Sequence, residues 1–262
     1  MKRLVCFFVV PMVFFLVSCT TEPDEDRPEW NAAEVCPEMG TNVYGMPNRG
    51  TFTDERDGQV YRYTTIGNQV WMAENLRYNA PYSMCCNDED FLEQYCELIE
   101  HNCETTECCK ESMCNTFGRY YSLMQNGDRF GSFDYALADA ICPDGWHVPT
   151  REEWVVLKSI MIAQGESNSD AAMRMKSNNS SHFAISKNYL NEYDRMNAGS
   201  DACALMLEPS GYMESDKYFF KTGAHFISLD QSNAYGILTI HIASNIEFAS
   251  HGFRDAIRCV MD

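Results

Sequence analysis

Seven of the thirteen cysteines fall in the thirty residues from Cys85 to Cys114, and no other feature of the chain limits its folding as much. Cys85, Cys86, Cys96, Cys103, Cys108, Cys109 and Cys114 share that stretch with nine acidic residues, and its apolar residues keep no sustained period. A segment of that kind cannot assemble a core, so cross-links must take the place of one. Residues 85–114 are therefore expected to be a disulfide-rich insertion within a larger domain.

Disulfides persist outside the cytoplasm, and the N-terminus carries the corresponding address. Lys2 and Arg3 precede an apolar run over residues 4–17 that is too short for a permanent membrane span. Leu16-Val17-Ser18-Cys19 then has the pattern of a lipoprotein cleavage site. Residues 1–18 are read as a signal peptide and Cys19 as the acceptor of a diacylglyceryl anchor, the alternative being an ordinary signal with a chance cysteine. Behind it, residues 19–50 are expected to form an acidic, proline-bearing tether to about Ala33 and then a loop over 36–48.

The formal charge of −18 becomes more negative once Lys2 and Arg3 are removed. Such a surface repels phosphate backbones, which excludes nucleic acid as a partner. The expected localisation is the cell envelope, at the outer membrane or cell surface, held by the lipid. Residues 51–262 are enough for one core and give no sign of a second domain or of an internal repeat.

Setting aside Cys6 in the leader and Cys19, eleven cysteines remain, an odd number. Cys36 with the seven of the insertion makes eight; once Cys142 and Cys259 are set aside as a pair, which the resemblance given below implies, Cys203 is left as a buried thiol in the apolar run 202–207. A zinc site from Cys103, Cys108, Cys109 and Cys114 is the competing reading, disfavoured by the adjacent cysteine pairs and by the compartment. No metal or other cofactor is expected.

Thirteen residues in the middle of the chain, CPDGWHVPTREEW from Cys142 to Trp154, join a cysteine, a turn and a helix start. Pro143-Asp144-Gly145 has the residues a tight turn demands. Thr150 and Glu153 have the spacing of a capping box, and Trp154, Leu157, Ile160 and Met161 form an apolar stripe behind it, with Gly165 as the stop. Further elements read in the same way are strands over 59–64 and 69–72 around Gly67-Asn68, a strand over 119–123 and a helix over 133–142. A helix capped by Ser169 follows, then strands over 218–220, 224–228, 236–242 and 254–261. Residues 177–202 show no pattern and are expected to be a long irregular loop.

CPDGWHVPTREEW resembles the signature of the Fibrobacter succinogenes major paralogous domain, found in bacterial secreted proteins and lipoproteins. The likeness extends to DERDGQVYRYTTIGNQVWMAENLRY (54–78), FGRYYS (117–122), PSGY (209–212) and GFRDAIRCVMD (252–262). It spans roughly residues 51 to 262 in the family's order. The long insertion departs from the family pattern, as does Ile227 where the family often has Trp. HVPTREEW and the ending are also similar to formylglycine-generating sulfatase-modifying factors, which have a variant of the C-type-lectin fold.

These resemblances imply an α+β, C-type-lectin-like domain with short twisted antiparallel strands, two to three helices and the cysteine-rich insertion. They imply a Cys142–Cys259 bridge from the turn before the capped helix to the last strand. They also single out Trp71, Glu74, Asn75, Gly118, Arg119, Trp146, His147, Pro149 and Trp154 as a structural signature. Glu74 and Asn75 are expected to bond backbone at a bend rather than to act in catalysis.

No zinc-protease, nucleophile-elbow, phosphate-loop or dinucleotide motif is present. Formylglycine generation needs a late pair of active-site cysteines, and Cys203 and Cys259 do not supply one. Glu208-Pro209-Ser210 is an incomplete echo of a calcium-lectin tripeptide, and Asp54, Asp57 and Gly58 read as a turn rather than a calcium loop. The expectation is a lipid-anchored, non-enzymatic extracellular binding or adhesion domain, with polysaccharide or a surface protein as ligand. Its rivals are an enzyme with an unfamiliar site near His147, Arg151 and Glu152, and a structural envelope component.

Overall fold

The computed structural model describes residues 5–6, 19–20, 29–85, 92, 105–128, 131–179, 199–214, 217–219, 223–230, 237–242, 245–249 and 254–262. Near the N-terminus, β1 (Val5–Cys6) pairs antiparallel with β2 (Cys19–Thr20). No described helix is long and apolar enough to cross a membrane.

Packing against the domain begins well before residue 51. Asn31 caps α1 (Ala32–Val35) by accepting from the Ala33 N–H. Beside it the Trp30 indole donates to the Ile160 carbonyl at 2.9 Å, and the Arg174 guanidinium lies 4.4 Å from the ring centroid. Cys36, at the end of this helix, is bonded to Cys203 across 167 residues. Two expectations are corrected here. The tether does not extend to Ala33, and Cys203 is not a free thiol; α1 is drawn under the 201–206 loop, and the odd sulfur moves into the seven of the insertion.

The strands β3 (Arg49–Thr53), β4 (Val60–Ile66) and β5 (Gln69–Met72) form a meander. Ile66 pairs with Gln69, so Gly67-Asn68 is a two-residue turn, with Gly67 at φ +58°. Tyr61 and Tyr63 face inward while Val60 is exposed. In β5 both faces are covered: Val70 and Met72 enter one hydrophobic cluster and Trp71 the other.

The insertion reads as a disulfide knot whose apolar residues keep no sustained period, yet α2 (Thr106–Phe117) begins within it and gives its last residues one, capped by the Thr105 hydroxyl. Cys109, Met113 and Phe117 are its buried stripe, at a spacing of four. Reading Cys109 only as a cross-link hides that period. After Phe117 the chain makes single bridges, Tyr120 to Met84 and Tyr121 to Asp255, instead of the expected 119–123 strand. A 3₁₀ turn (Gln125–Gly127), α3 (Tyr135–Ala140), β6 (Trp146–His147), α4 (Arg151–Ile160) and α5 (Asn168–Met175) follow. With α1 and α2 this makes five helices among the described residues, against two to three expected.

Thr150 and Glu153 form the capping box of α4. The helix ends at Ile160, before Gly165, where Met161 turns into the core at 0% exposure. The α5 cap is Ser167 rather than Ser169, and its N–H donates to Asp170 Oδ2 at 2.8 Å. Residues 180–198, most of the expected irregular loop, lie outside the described residues.

The remaining strands are β7 (Tyr212–Glu214), β8 (Lys217–Phe219), β9 (Ala224–Leu229), β10 (Ile237–Ile242), β11 (Ile246–Ala249) and β12 (Val260–Met261). The main sheet is antiparallel in the order β3-β4-β5-β12-β6; a second has the order β11-β10-β9, and β7 pairs with β8. The domain is therefore α+β. On one side of the main sheet Trp71 packs with Trp154, Leu157, Met175, Phe226 and Ile246 from α4, α5 and the second sheet. On the other, Tyr61, Met72, Tyr121, Trp146 and Ile257 close a second cluster. Burial of large apolar side chains on both faces is the main stabilising term, at about 1.5–3 kcal/mol per side chain.

Candidate functional site

The sequence stretch CPDGWHVP forms a turn that leads into β6, an edge strand of the main sheet. The Trp146 N–H donates to the Pro143 carbonyl at 3.0 Å across the turn, with Gly145 at φ +81°. Trp146 and His147 then pair with Met261 and Val260. Cys142 and Cys259 are disulfide-bonded, with α-carbons 6.1 Å apart. Trp146 stacks on Phe52 at 4.5 Å, and the Pro149 carbonyl accepts from Leu229 N, tying the second sheet to this point.

His147 stands between two carboxylates. Its Nδ1 lies 2.7 Å from Asp262 Oδ1 and its Nε2 2.8 Å from Glu153 Oε1. The Glu153 hydrogen bond raises the His147 pKa, burial opposes it, and Asp262 adds to the rise. For Glu153 burial works to raise the pKa, but the bonds from His147 and from the Thr150 N–H outweigh it and hold the carboxyl low. Glu153 Oε2 also closes the capping box, accepting from Thr150 N at 2.8 Å and Thr150 Oγ1 at 2.9 Å. Both ring nitrogens are thus engaged, and the imidazole clamps the last residue to the start of α4. Arg151 is directed elsewhere, its Nε 4.0 Å from the Asp230 carboxylate.

A second polar centre is buried. Arg258 is 1% exposed, and its guanidinium donates to the carbonyls of Leu205 (2.7 Å), Met206 (3.2 Å) and Met72 (3.3 Å) and to Asn75 Oδ1. Burial lowers its pKa to about 9. Asn75 in turn donates to the Phe117 carbonyl at 2.8 Å. Gly118, at φ +79°, passes so close that an added Cβ would sit 2.5 Å from Asn75 Cβ and 3.0 Å from the Leu76 carbonyl oxygen. Glu74 accepts from the backbone N–H of Arg62 at 2.9 Å and from its guanidinium. Arg119 donates to Ser83 Oγ, the Ser83 carbonyl and Asn79 Oδ1. Trp71 and Trp154 meet at 4.6 Å in the core, and Trp154 stacks on Phe226 at 5.5 Å.

The DERDG turn is built on the same principle. Asp54 receives Arg56 Nε and Nη2 at 2.9 and 2.7 Å. Arg56 Nη1 reaches the Ala140 and Ile141 carbonyls, and its guanidinium covers Tyr78 at 3.9 Å. The Asp54 carboxylate is therefore spent on an arginine. In the PSGY block the Tyr120 hydroxyl donates to the Ser210 carbonyl.

In the insertion Cys85 is bonded to Cys114, and Cys108 and Cys109 are each half of a separate disulfide. Three of the four sulfurs a zinc site would use are therefore not thiolates. Among the described residues no group of three or more His, Cys, Asp and Glu could hold a metal ion. Cys86, Cys96 and Cys103 lie outside the described residues. Of the signature residues, Trp71, Trp154, Glu74, Asn75, Gly118, Arg119, Trp146, His147 and Pro149 all make the internal contacts above. Arg56, Arg258 and Tyr120 belong with them and were not singled out. The one sequence signal for Arg258 is an arginine inside an otherwise apolar strand pattern.

The sequence profile described as the Fibrobacter succinogenes major domain matches residues 64–260. Comparison with curated proteins and with solved structures found no match.

Proposed function

The chain belongs to the Fibrobacter succinogenes major domain family, and from that premise we propose that it is a lipid-anchored cell-envelope protein whose domain binds a ligand outside the cell without catalysing a reaction. The observation that carries the reading is the commitment of the polar signature side chains. Glu74, Asn75, His147, Glu153 and Arg258 are engaged with one another or with backbone, the pattern a scaffold of satisfied polar groups requires.

The finer fold assignment, C-type-lectin-like, is part of this proposal. It draws support from the Cys142–Cys259 link between the turn before α4 and the last strand. Polysaccharide is the ligand class we favour. Tyr82 and Tyr135 are 43% and 71% exposed, and tyrosine rings stack on sugar rings. Cys19 is the proposed site of acylation, at the outer membrane or cell surface.

The test has two arms. Metabolic labelling with palmitate should mark the protein and fail on a Cys19→Ala variant. The mature protein, with its disulfides intact, should then be sedimented with insoluble cellulose and xylan. Retention that weakens in Tyr82→Ala or Tyr135→Ala supports the sugar reading. No retention, together with recovery of a protein partner from the cell surface, replaces it.

A further inference from the structure

Residues 39–48 (MGTNVYGMPN) carry no charge in a chain whose formal charge is −18. Three of them hold apolar side chains in solvent: Met39 is 86% exposed, Val43 67% and Tyr44 46%. Single exposed apolar residues are ordinary, whereas several on one short loop indicate a contact surface. The loop is braced from within. The Asn42 side chain accepts from the N–H groups of Tyr44 and Met46 at 3.0 and 3.1 Å and donates to Thr65 Oγ1. Asn48 Nδ2 holds the Met39 carbonyl at 2.7 Å, and Thr41 bridges Pro47. At its base Arg49 pairs with Glu38 at 2.8 Å. A loop already fixed in this way loses little conformational freedom when it docks.

Its place in the chain says what it docks on. The loop follows α1 and Cys36, which Trp30 and the Cys36–Cys203 bond pin to the domain. Only residues 20–29 separate Cys19 from Trp30, a span of at most about 40 Å when fully extended. The loop also lies outside residues 64–260, the stretch that matches the family profile.

We propose that Met39, Val43 and Tyr44 form a second, non-covalent contact with the lipid bilayer, seating the domain in one orientation on the membrane to which Cys19 ties it. The inference rests on the acylation of Cys19 proposed above. The anchor keeps a bilayer permanently within reach, so a contact too weak to act alone is amplified by effective concentration. A tyrosine beside aliphatic side chains suits the interfacial zone. The absence of charge removes the penalty for entering it, while the acidic remainder of the protein directs the contact to neutral headgroups.

The test uses the acylated, full mature protein in vesicles of phosphatidylcholine and phosphatidylethanolamine with brominated acyl chains. A Val43→Trp variant reports on the loop; the four natural tryptophans, Trp30, Trp71, Trp146 and Trp154, give the background measured in the unsubstituted protein. The expected result is roughly twofold quenching of the added indole by the brominated chains, reversed when Met39→Asp is combined with it. Flotation of the protein with the vesicles and no quenching overturns the loop contact and leaves the anchor standing. Failure to float overturns both.

Discussion

Arg258 and Asn75, 183 residues apart in sequence, meet inside the molecule, where Arg258 Nη2 donates to Asn75 Oδ1. This pair joins four segments: the bend after β5, the end of α2 at Phe117, the 201–206 loop and the approach to β12. Asp201, Ala204 and Met206 adopt φ of +47°, +53° and +51° in that loop, a conformation that costs a non-glycine residue about 1–3 kcal/mol. The Arg258 bonds to the Leu205 and Met206 carbonyls, together with Cys36–Cys203, are what hold it there.

Gly118→Ala is expected to destabilise the domain by about 2–4 kcal/mol, because it adds a clash with Asn75 Cβ to the cost of a left-handed backbone. Gly58→Ala is the control: φ is +75° but nothing lies within 4 Å, so only the backbone term of about 1 kcal/mol applies. Urea denaturation of the two variants should separate them; equal losses would contradict the close approach at Gly118.

The His147 clamp gives stability a defined pH dependence. The His147 pKa is raised above its ordinary 6.5, so its contribution is complete below that value and is lost as pH rises through the higher folded pKa. Glu153 is lowered from 4.5, so its contribution is present above that value and lost as pH falls through the folded pKa. Both act fully between about pH 4.5 and 6.5, and solvent screening of the partly exposed pair keeps the gain to about 1 kcal/mol or less. The stability gap between the natural protein and His147→Gln should narrow from about pH 5.5 to about pH 9. A constant gap rules out the clamp.

Non-reducing digestion should yield a peptide joining Cys36 to Cys203, and one thiol without an intrachain partner in residues 85–114. Chain entropy over 167 residues gives this bond up to about 5 kcal/mol, so Cys203→Ala should lower stability by an amount of that order and loosen Trp30. Alkylation of Cys203 in the folded protein contradicts the pairing.

What could be read from the sequence was local. Thr150 and Glu153 announce the α4 cap, Gly67-Asn68 announces the hairpin, and the strands over 224–229 and 237–242 follow from their composition. What could not be read depends on contacts between distant segments. Nothing near Cys36 or Cys203 indicates that they pair, and parity arithmetic alone assigned Cys36 to the insertion. The role of Arg56 depends on the carbonyls of Ala140 and Ile141, more than eighty residues away. The β11 strand is missed because Ile246 to Ala249 is short and bounded by polar residues.

The central claim is that the polar signature is scaffold. Residues kept for a reaction or a ligand tend to be replaced with little loss, or a gain, of stability. Residues that satisfy buried groups are not, since each orphaned partner costs about 1–3 kcal/mol. Thermal unfolding of Asn75→Ala, Glu74→Ala and Arg258→Ala tests this most directly. All three midpoints should fall, those of Asn75→Ala and Arg258→Ala by roughly 5–10 °C. Midpoints that hold or rise, with ligand retention lost, would show the signature to be a functional site instead.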